Sequence, residues 1–393
     1  MSAEFEAFAK ALERSSERDK QLESPTFNQV TVLGGGPEGR LLAALCLSQN
    51  RSVTLFSAYG AELNALRAAG GITLRGDGPV GTFQVDLNSS PSIKTTAELD
   101  TAVSSADLIF LTGPVHKHRT YAMVLAEHLS DGQTLVIAPA RTFAALEASA
   151  LLKIGGCRAD ITVVEVQHLP YWTEVQGNGL NLAASATAAA ATMPGNQVNT
   201  IHTLAELLPN LHPAPNALHS SLADGSGAIE AVGLMFGESA VAGASETLLA
   251  GAESLPSHNN FHSLLATPNC HSLVSAALNE RRQVASRFGV RNLPDDEHWI
   301  DVCAGSDSQI RFRPEDGDVP AVLRSAVAGS LIPLQSAGQL VGVSTPVTDS
   351  LITVAGALLG SDVSASGRRL ETMGIRADNA DEARKVLESL VRG

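Results

Sequence analysis

The chemistry of this chain starts at its glycines. Val30-Thr31-Val32-Leu33 leads into Gly34-Gly35-Gly36-Pro37-Glu38-Gly39, and Arg40-Leu41-Leu42-Ala43-Ala44-Leu45 leads out. The spacing is G-x-G-x-x-G, set between a β-branched run and an Ala/Leu-rich one. Gly34 permits a tight turn, Gly36 lets the main chain approach a pyrophosphate, and Gly39 allows close helix–strand packing. Pro37 and Glu38 stand in the first helical turn, whose free N–H groups point at phosphate. Alone such spacing is a weak signal, because loops collect glycine for many reasons. The strand before it and the helix after it give it weight, and the ligand it suits is a dinucleotide.

Two further loops bear on that ligand. The next strand runs Val53-Thr54-Leu55-Phe56 and ends at Ser57-Ala58-Tyr59. An acid at this point would bind the adenosine 2′-hydroxyl and repel a 2′-phosphate. Ser57 repels nothing, so the reading leans to NADP with NAD open, and Arg40 or Arg67 could reach the phosphate. Alternatively Ser57 caps the helical region around Glu62 and the ribose is read elsewhere. Thr112-Gly113-Pro114-Val115-His116-Lys117-His118 follows a later strand, and ligands bind at the carboxyl ends of parallel strands. Gly113 and Pro114 could line the nicotinamide ribose. His116 or Lys117 either faces substrate or is a solvated loop residue.

These loops need a sheet to hold them. Strand patterns recur at Gln29–Leu33, Ser52–Phe56, Leu108–Thr112, Thr134–Ala138 and Ile161–Gln167. Helical patterns separate them at Arg40–Gln49, Glu62–Ala69, His118–Leu129 and Thr142–Leu152. The alternation predicts a parallel, Rossmann-like α/β sheet with crossover helices. Leu74–Leu87 predicts a β-excursion turning at Gly76-Asp77-Gly78-Pro79. After Pro209 the patterns are mostly helical: Ala228–Phe236, His271–Phe288, Val319–Leu331, Ser350–Leu359 and Ala380–Val391. The expected organisation is an N-terminal arm over 1–25, a dinucleotide-binding domain over 26–212 and a helical substrate and dimerisation domain over 213–393.

Composition bounds the function. The 393 residues exceed one core's usual size, and 44% hydrophobic with 17% charged residues describes a globular chain. A net charge of −14 with no basic cluster disfavours nucleic acid and anionic membrane as partners. Cys46, Cys157, Cys270 and Cys303 are far apart and read as reduced thiols. The acidic start carries no apolar signal segment and no apolar run reaches spanning length, so a cytoplasmic protein is expected. His258, His262 and His271 have near-ligand spacing, but Pro256 and Pro268 interrupt it and no acidic ligand is placed, so no metal is expected. Ser226 between Gly225 and Gly227 reads as a loop before a helix rather than a nucleophile.

Several segments in order resemble the opine (octopine/nopaline) dehydrogenase family. Besides the glycine loop and Gly113-Pro114, they are Val164-Glu165-Val166-Gln167-His168-Leu169-Pro170-Tyr171, Asn216-Ala217-Leu218-His219-Ser220-Ser221-Leu222 and Asn279-Glu280-Arg281-Arg282. Arg311-Phe312-Arg313-Pro314-Glu315-Asp316-Gly317-Asp318-Val319-Pro320, Gly342-Val343-Ser344-Thr345-Pro346 and Gly367-Arg368-Arg369-Leu370-Glu371-Thr372-Met373-Gly374-Ile375 complete the set. The resemblance implies a second domain like the C-terminal domain of 6-phosphogluconate dehydrogenase. It also implies NAD(P)H-dependent reduction of an imine formed from an amine or amino acid and a 2-oxo acid. Such an imine must be protonated, and substrate carboxylates call for arginine. By resemblance the site holds a His, an Asp that orients it and an Arg. Arg311 matches the Arg, and Asp316 matches the Asp, with Asp318 as its competitor.

At the position of the His stands Glu230, and Asp224 and Ser226 stand where the family has Asn. An Arg expected after Leu169-Pro170-Tyr171 is replaced by Trp172-Thr173-Glu174. Three readings follow. Glu230 is the general acid/base, made a weaker acid by burial beside Asp316; or His219, His262 or His271 takes the role; or catalysis is lost. Burying two carboxylates requires a cation, either Arg311 or a substrate ammonium, which hints at an amine-bearing substrate. Alternative functions are ketone or 2-oxo acid reduction of the hydroxyacid or ketopantoate type, with Lys117 or Lys153 polarising the carbonyl, and a non-catalytic dinucleotide-binding protein. A homodimer is expected of two-domain enzymes of this kind, although no residue pattern specifies it.

Overall fold

The computed structural model describes residues 24–88, 91–177, 179–195, 197–236, 265, 268–306, 309–310 and 319–392. The arm expected over 1–25 lies outside them except for residues 24 and 25, as do Arg311, Asp316, Asp318, His258 and His262.

The chain begins with β1 (Gln29–Leu33), α1 (Pro37–Ser48), β2 (Ser52–Phe56) and α2 (Gly60–Ala68). β3 (Gly71–Gly76) and β4 (Gly81–Gln84) form the expected excursion, and β5 (Lys94–Thr96) returns to β2. Then come α3 (Leu99–Val103), β6 (Leu108–Leu111), α4 (Val115–Leu125), β7 (Thr134–Ile137), α5 (Ala144–Ile154) and β8 (Thr162–Val166). β6 and β7 are buried at every residue because helices cover both faces of the sheet.

The large sheet has the order β12-β11-β8-β7-β6-β1-β2-β5. From β1 the chain winds outward through β2 and β5, then crosses back to β6 and winds the other way. The strand order therefore reverses between β1 and β6, the kind of point at which open α/β sheets bind ligands at the carboxyl ends of their strands.

Three strands escape periodicity: β9 (Tyr171–Gln176), β10 (Gly179–Ala184) and β11 (Ala188–Met193). β11 reads Ala-Ala-Ala-Ala-Thr-Met, a composition that favours helix, yet all six residues are buried and it pairs antiparallel with β8. β9 and β10 form a four-stranded sheet with β3 and β4. α6 (Val198–Leu207) and the short β12 (Leu211–Pro213) follow.

Beyond Pro213 the described chain is helical apart from a two-stranded ribbon, Gly305–Ser306 with Gln309–Ile310. α7 is Ala217–Ala223, and the described part of α8 runs over 226–236. α9 is Pro268–Arg287, α10 Asp296–Ala304 and α11 Val319–Ala326. The helix expected over Val319–Leu331 does not end there. It widens into a π-turn, Val327–Leu331, and continues as α12 (Ile332–Val341), with α13 (Pro346–Leu359) and α14 (Ala380–Arg392) beyond. One apolar cluster joins sheet residues such as Leu111 and Ile137 to helical ones such as Leu218, Val284 and Leu334. Hydrophobic burial thus continues from the sheet into the helices.

Candidate active site at the strand ends

The glycine loop has the geometry its spacing predicts. Gly34 lies at φ +129°, where a side chain would be strained and would strike the Thr112 hydroxyl; Thr112 in turn donates to the Leu33 carbonyl at 3.0 Å. A Cβ on Gly39 would run into the Gly34 carbonyl oxygen, so α1 packs onto β1 only with glycine there. A Cβ on Gly36 would meet nothing nearer than the Glu38 carboxylate at 3.8 Å, which leaves the main chain open to a ligand. Gly36 is the N-cap of α1 with no side-chain cap, and Pro37 sits in the first turn. The N–H groups of Glu38 and Gly39 therefore face outward for phosphate. The cradle fits a dinucleotide pyrophosphate.

At the end of β2, Ser57 is buried and does not cap the next helix. Its hydroxyl donates to Glu62 Oε2 at 2.5 Å and accepts from the Tyr59 N–H at 3.1 Å. Arg67 is held by Asp86 at 2.8 Å, and Arg40 Nε donates to the Gly35 carbonyl at 2.9 Å. At the end of β6, Gly113 (φ +87°) and Pro114 lead into α4, and the Gly113 carbonyl lies 3.1 Å from His118 Nε2. Lys117 turns to Tyr59, with Nζ 2.8 Å from the hydroxyl and 4.6 Å from the ring centre.

One strand further along, the loop after β7 brings up a residue that sequence reasoning missed. Arg141 Nη2 donates to Glu230 Oε2 at 2.6 Å, and Nη1 to the Ser226 hydroxyl at 2.5 Å. Ser226 donates to Asp224 at 2.5 Å, and Ser330 of the π-turn donates to the other Asp224 oxygen at 3.1 Å. Glu230 and Asp224 are both buried. Burial opposes the Arg141 charge, but Glu230, then Asp224, outweigh it and hold the guanidinium above its usual pKa. The cation that a buried Glu230 requires is thus Arg141. Its place at a strand's carboxyl end is the signal that could have found it, by the rule already applied to Gly113 and Pro114.

Packing draws these pieces together. A Cβ on Gly329 would lie 2.9 Å from Arg141 Cβ and Cγ and from Val115 Cγ1, so only glycine lets the π-turn seat against both loops. Phe143, two residues past Arg141, is buried at φ +62°, an uncommon conformation for a bulky residue, and its N–H donates to Ser221. Arg281 lies behind them, 3.4 Å from Thr142 Oγ1 and 3.3 Å from the Ser221 carbonyl. Burial draws its pKa below the usual value, against the Asp224 charge.

The histidine alternatives turn elsewhere. His219 meets the Arg291 carbonyl at 3.1 Å, and His271 is half-buried, 3.6 Å from Glu297. His168 faces the Leu169 and Thr187 carbonyls, and burial pushes its imidazole down to about 4. Trp172 donates to the Val302 carbonyl at 3.0 Å. Lys153 is exposed in the last turn of α5, at the opposite end of that helix from the site. Among the described residues no cluster could hold a metal, and no helix is long and apolar enough to cross a membrane.

Known proteins share this plan over most of its length. Opine dehydrogenase of Arthrobacter sp. (strain 1C) is 26% identical over 386 residues, covering 93% of this chain and all of the relative. The chain is opine dehydrogenase-like. An octopine dehydrogenase solved with NADH and agmatine superposes with a TM-score of 0.67 at 18% identity, over 90% of this chain and 96% of that one. A ketopantoate reductase from Ralstonia eutropha superposes at 0.58 with 14% identity, over 84% and 98%. These two share the fold with the opine dehydrogenase-like chain. No family model matches it.

Proposed function

We propose that this opine dehydrogenase-like chain is an NAD(P)H-dependent oxidoreductase that joins an amine or amino acid to a 2-oxo acid by reducing their imine. The observation that carries the reading is the Arg141–Glu230 pair, 2.6 Å apart and two strands over from the glycine loop, roughly 10 Å at ordinary strand spacing. An amino acid complements an ion pair: its carboxylate suits Arg141 and its ammonium suits Glu230. Glu230 takes the proton from that ammonium, freeing the amine to condense with the oxo acid; the carbonyl oxygen leaves as water, and Glu230 returns its proton to the imine nitrogen. Asp224, tied to Ser226 and Ser330, adds its charge to that of Glu230 in keeping Arg141 charged. The dinucleotide, when bound, supplies the hydride. Gly34, Gly36, Pro37, Glu38 and Gly39 hold its pyrophosphate, with Ser57 near the adenosine and Gly113 and Pro114 near the nicotinamide ribose. Arg311 and Asp316 stay in the proposal on resemblance alone, as second carboxylate receptor and orienting acid.

Ketone reduction through a lysine has less support, because Lys117 is engaged by Tyr59 and Lys153 lies far from the strand ends. The proposal keeps a division near residue 212, an association as homodimers and a cytoplasmic setting.

The test is oxidation of NADH and NADPH over a matrix of 2-oxo acids against amines and amino acids. Turnover should require one of each, and Glu230→Gln should lower kcat by about 100-fold or more while dinucleotide binding persists. Full activity in Glu230→Gln would remove Glu230 from the chemistry. Dinucleotide binding without turnover anywhere in the matrix would favour the non-catalytic reading.

A further inference from the structure

We infer that Glu62, delivered by Ser57, reads the adenosine ribose and selects NAD(H) against NADP(H). The inference rests on the dinucleotide reading of the glycine loop. In the usual arrangement the discriminating acid is the last residue of the second strand. Here that residue is Ser57, which looks permissive for a 2′-phosphate until its hydroxyl is followed. It is buried, oriented by the Tyr59 N–H at 3.1 Å, and donates to Glu62 Oε2 at 2.5 Å. Glu62 lies in the first turn of α2, and its carboxylate is brought so close to the glycine loop that a Cβ on Gly35 would strike it. That same Cβ would sit 3.2 Å from Ser57 Cβ. Glycine at position 35, serine at 57 and glutamate at 62 thus place a carboxylate where the discriminating acid belongs.

Ser57 is the hydrogen-bond partner of the Glu62 carboxylate among the described residues, and it occupies Oε2. Oε1 is left to accept from a ribose hydroxyl. A 2′-phosphate at the same place would bring two negative groups into contact without a dedicated cation. Arg67 is committed to Asp86 and to Thr95 Oγ1, the latter at 2.7 Å; Arg40 is bonded to the loop's own carbonyl and Lys117 to Tyr59. The leaning to NADP drawn from Ser57 therefore gives way to NAD.

The test uses ADP-ribose and 2′-phospho-ADP-ribose as probes, titrated calorimetrically into the full-length protein, so no turnover is needed. The native protein should bind ADP-ribose more tightly, by about tenfold or more, the range of one charge-assisted hydrogen bond. Glu62→Gln is near-isosteric and partly exposed, so it should fold. It should lower that preference by about tenfold, chiefly through tighter binding of the phosphorylated probe. Ser57→Ala, which keeps the acid but frees it, should shift the ratio the same way by less. Equal binding of both probes by the native protein, or an unchanged ratio in Glu62→Gln, would overturn the role of Glu62 and leave the proposed reaction standing. Binding of neither probe would overturn the dinucleotide reading together with this one.

Discussion

At the scale of single residues, this protein places carboxylates inside and then differs in how it treats them. Glu230 is buried against Arg141, so its charge is met within the site. Glu165, the acid of β8, has no such neighbour within hydrogen-bonding distance among the described residues. It accepts from the Ala145 N–H at 3.1 Å and the Ser221 hydroxyl at 2.8 Å, yet burial prevails and pushes its carboxyl from an ordinary 4.5 up to about 7. Between those values the folded chain holds a proton that the unfolded chain has released. Stability on this group's account is therefore complete below pH 4.5 and declines as pH rises through 7, by about 3 kcal/mol in all. Glu165→Gln should remove that decline, gaining on the native protein as pH rises. Urea midpoints measured from about pH 4.5 to 8 give the comparison, and a difference that stays constant with pH would contradict it. Glu165 was legible in the sequence as part of a strand ending Glu-Val-Gln. Its titration was not, because burial depends on which helices cover the strand.

At the scale of elements, the site hangs on two irregularities. The loop after β7 turns through Phe143 at positive φ, and the helix opposite widens into a π-turn at Val327–Leu331. Single-turn π segments appear often at functional sites because they re-aim side chains without ending a helix. Here the segment presents Ser330 to Asp224 and Gly329 to Arg141 and Val115. Gly329→Ala would put a methyl group 2.9 Å from Arg141 and Val115, and overpacking of this kind typically costs about 1–3 kcal/mol. The expected outcome is a lower kcat from a displaced Arg141 with a moderate fall in the unfolding midpoint. Unchanged kinetics would show that the π-turn does not hold Arg141 in place. The strands β1 and β2 match their sequence patterns to the residue, because β-branched runs between turn signals are local information. β11 was illegible for the converse reason: alanines take whichever structure their neighbours impose, and here β8 and β12 flank them.

At the scale of the whole molecule, a buried ion pair ties the C-terminal segment to a helix that covers the sheet. Glu147 on α5 accepts from Arg119 Nε through Oε1 and from Arg368 Nε through Oε2, each at 2.6 Å. Arg368 also donates to the Thr142 carbonyl at 3.1 Å, beside Arg141, and Arg119 donates to the Gly367 carbonyl at 2.9 Å. Removing Glu147 would leave the buried Arg368 guanidinium without its carboxylate. Glu147→Ala is therefore expected to cost about 3–5 kcal/mol, read by urea unfolding. A loss below about 1 kcal/mol would mean that the segment is held by packing alone.

The sequence by itself determined the parallel sheet and the G-x-G-x-x-G spacing of the loop after β1. Each is written in local spacing: strand runs of period two or unbroken apolarity, and glycines where a Cβ has no room. Only the tertiary structure decided what those residues face. Arg141 and Glu230 are 89 positions apart and Arg119 and Gly367 are 248 apart, distances over which no periodicity carries. Ser57 and Glu62 are five apart, and even they needed the turn between β2 and α2 to show that a serine at the strand end delivers an acid. Whether a charge is buried, and which opposite charge meets it, follows from packing.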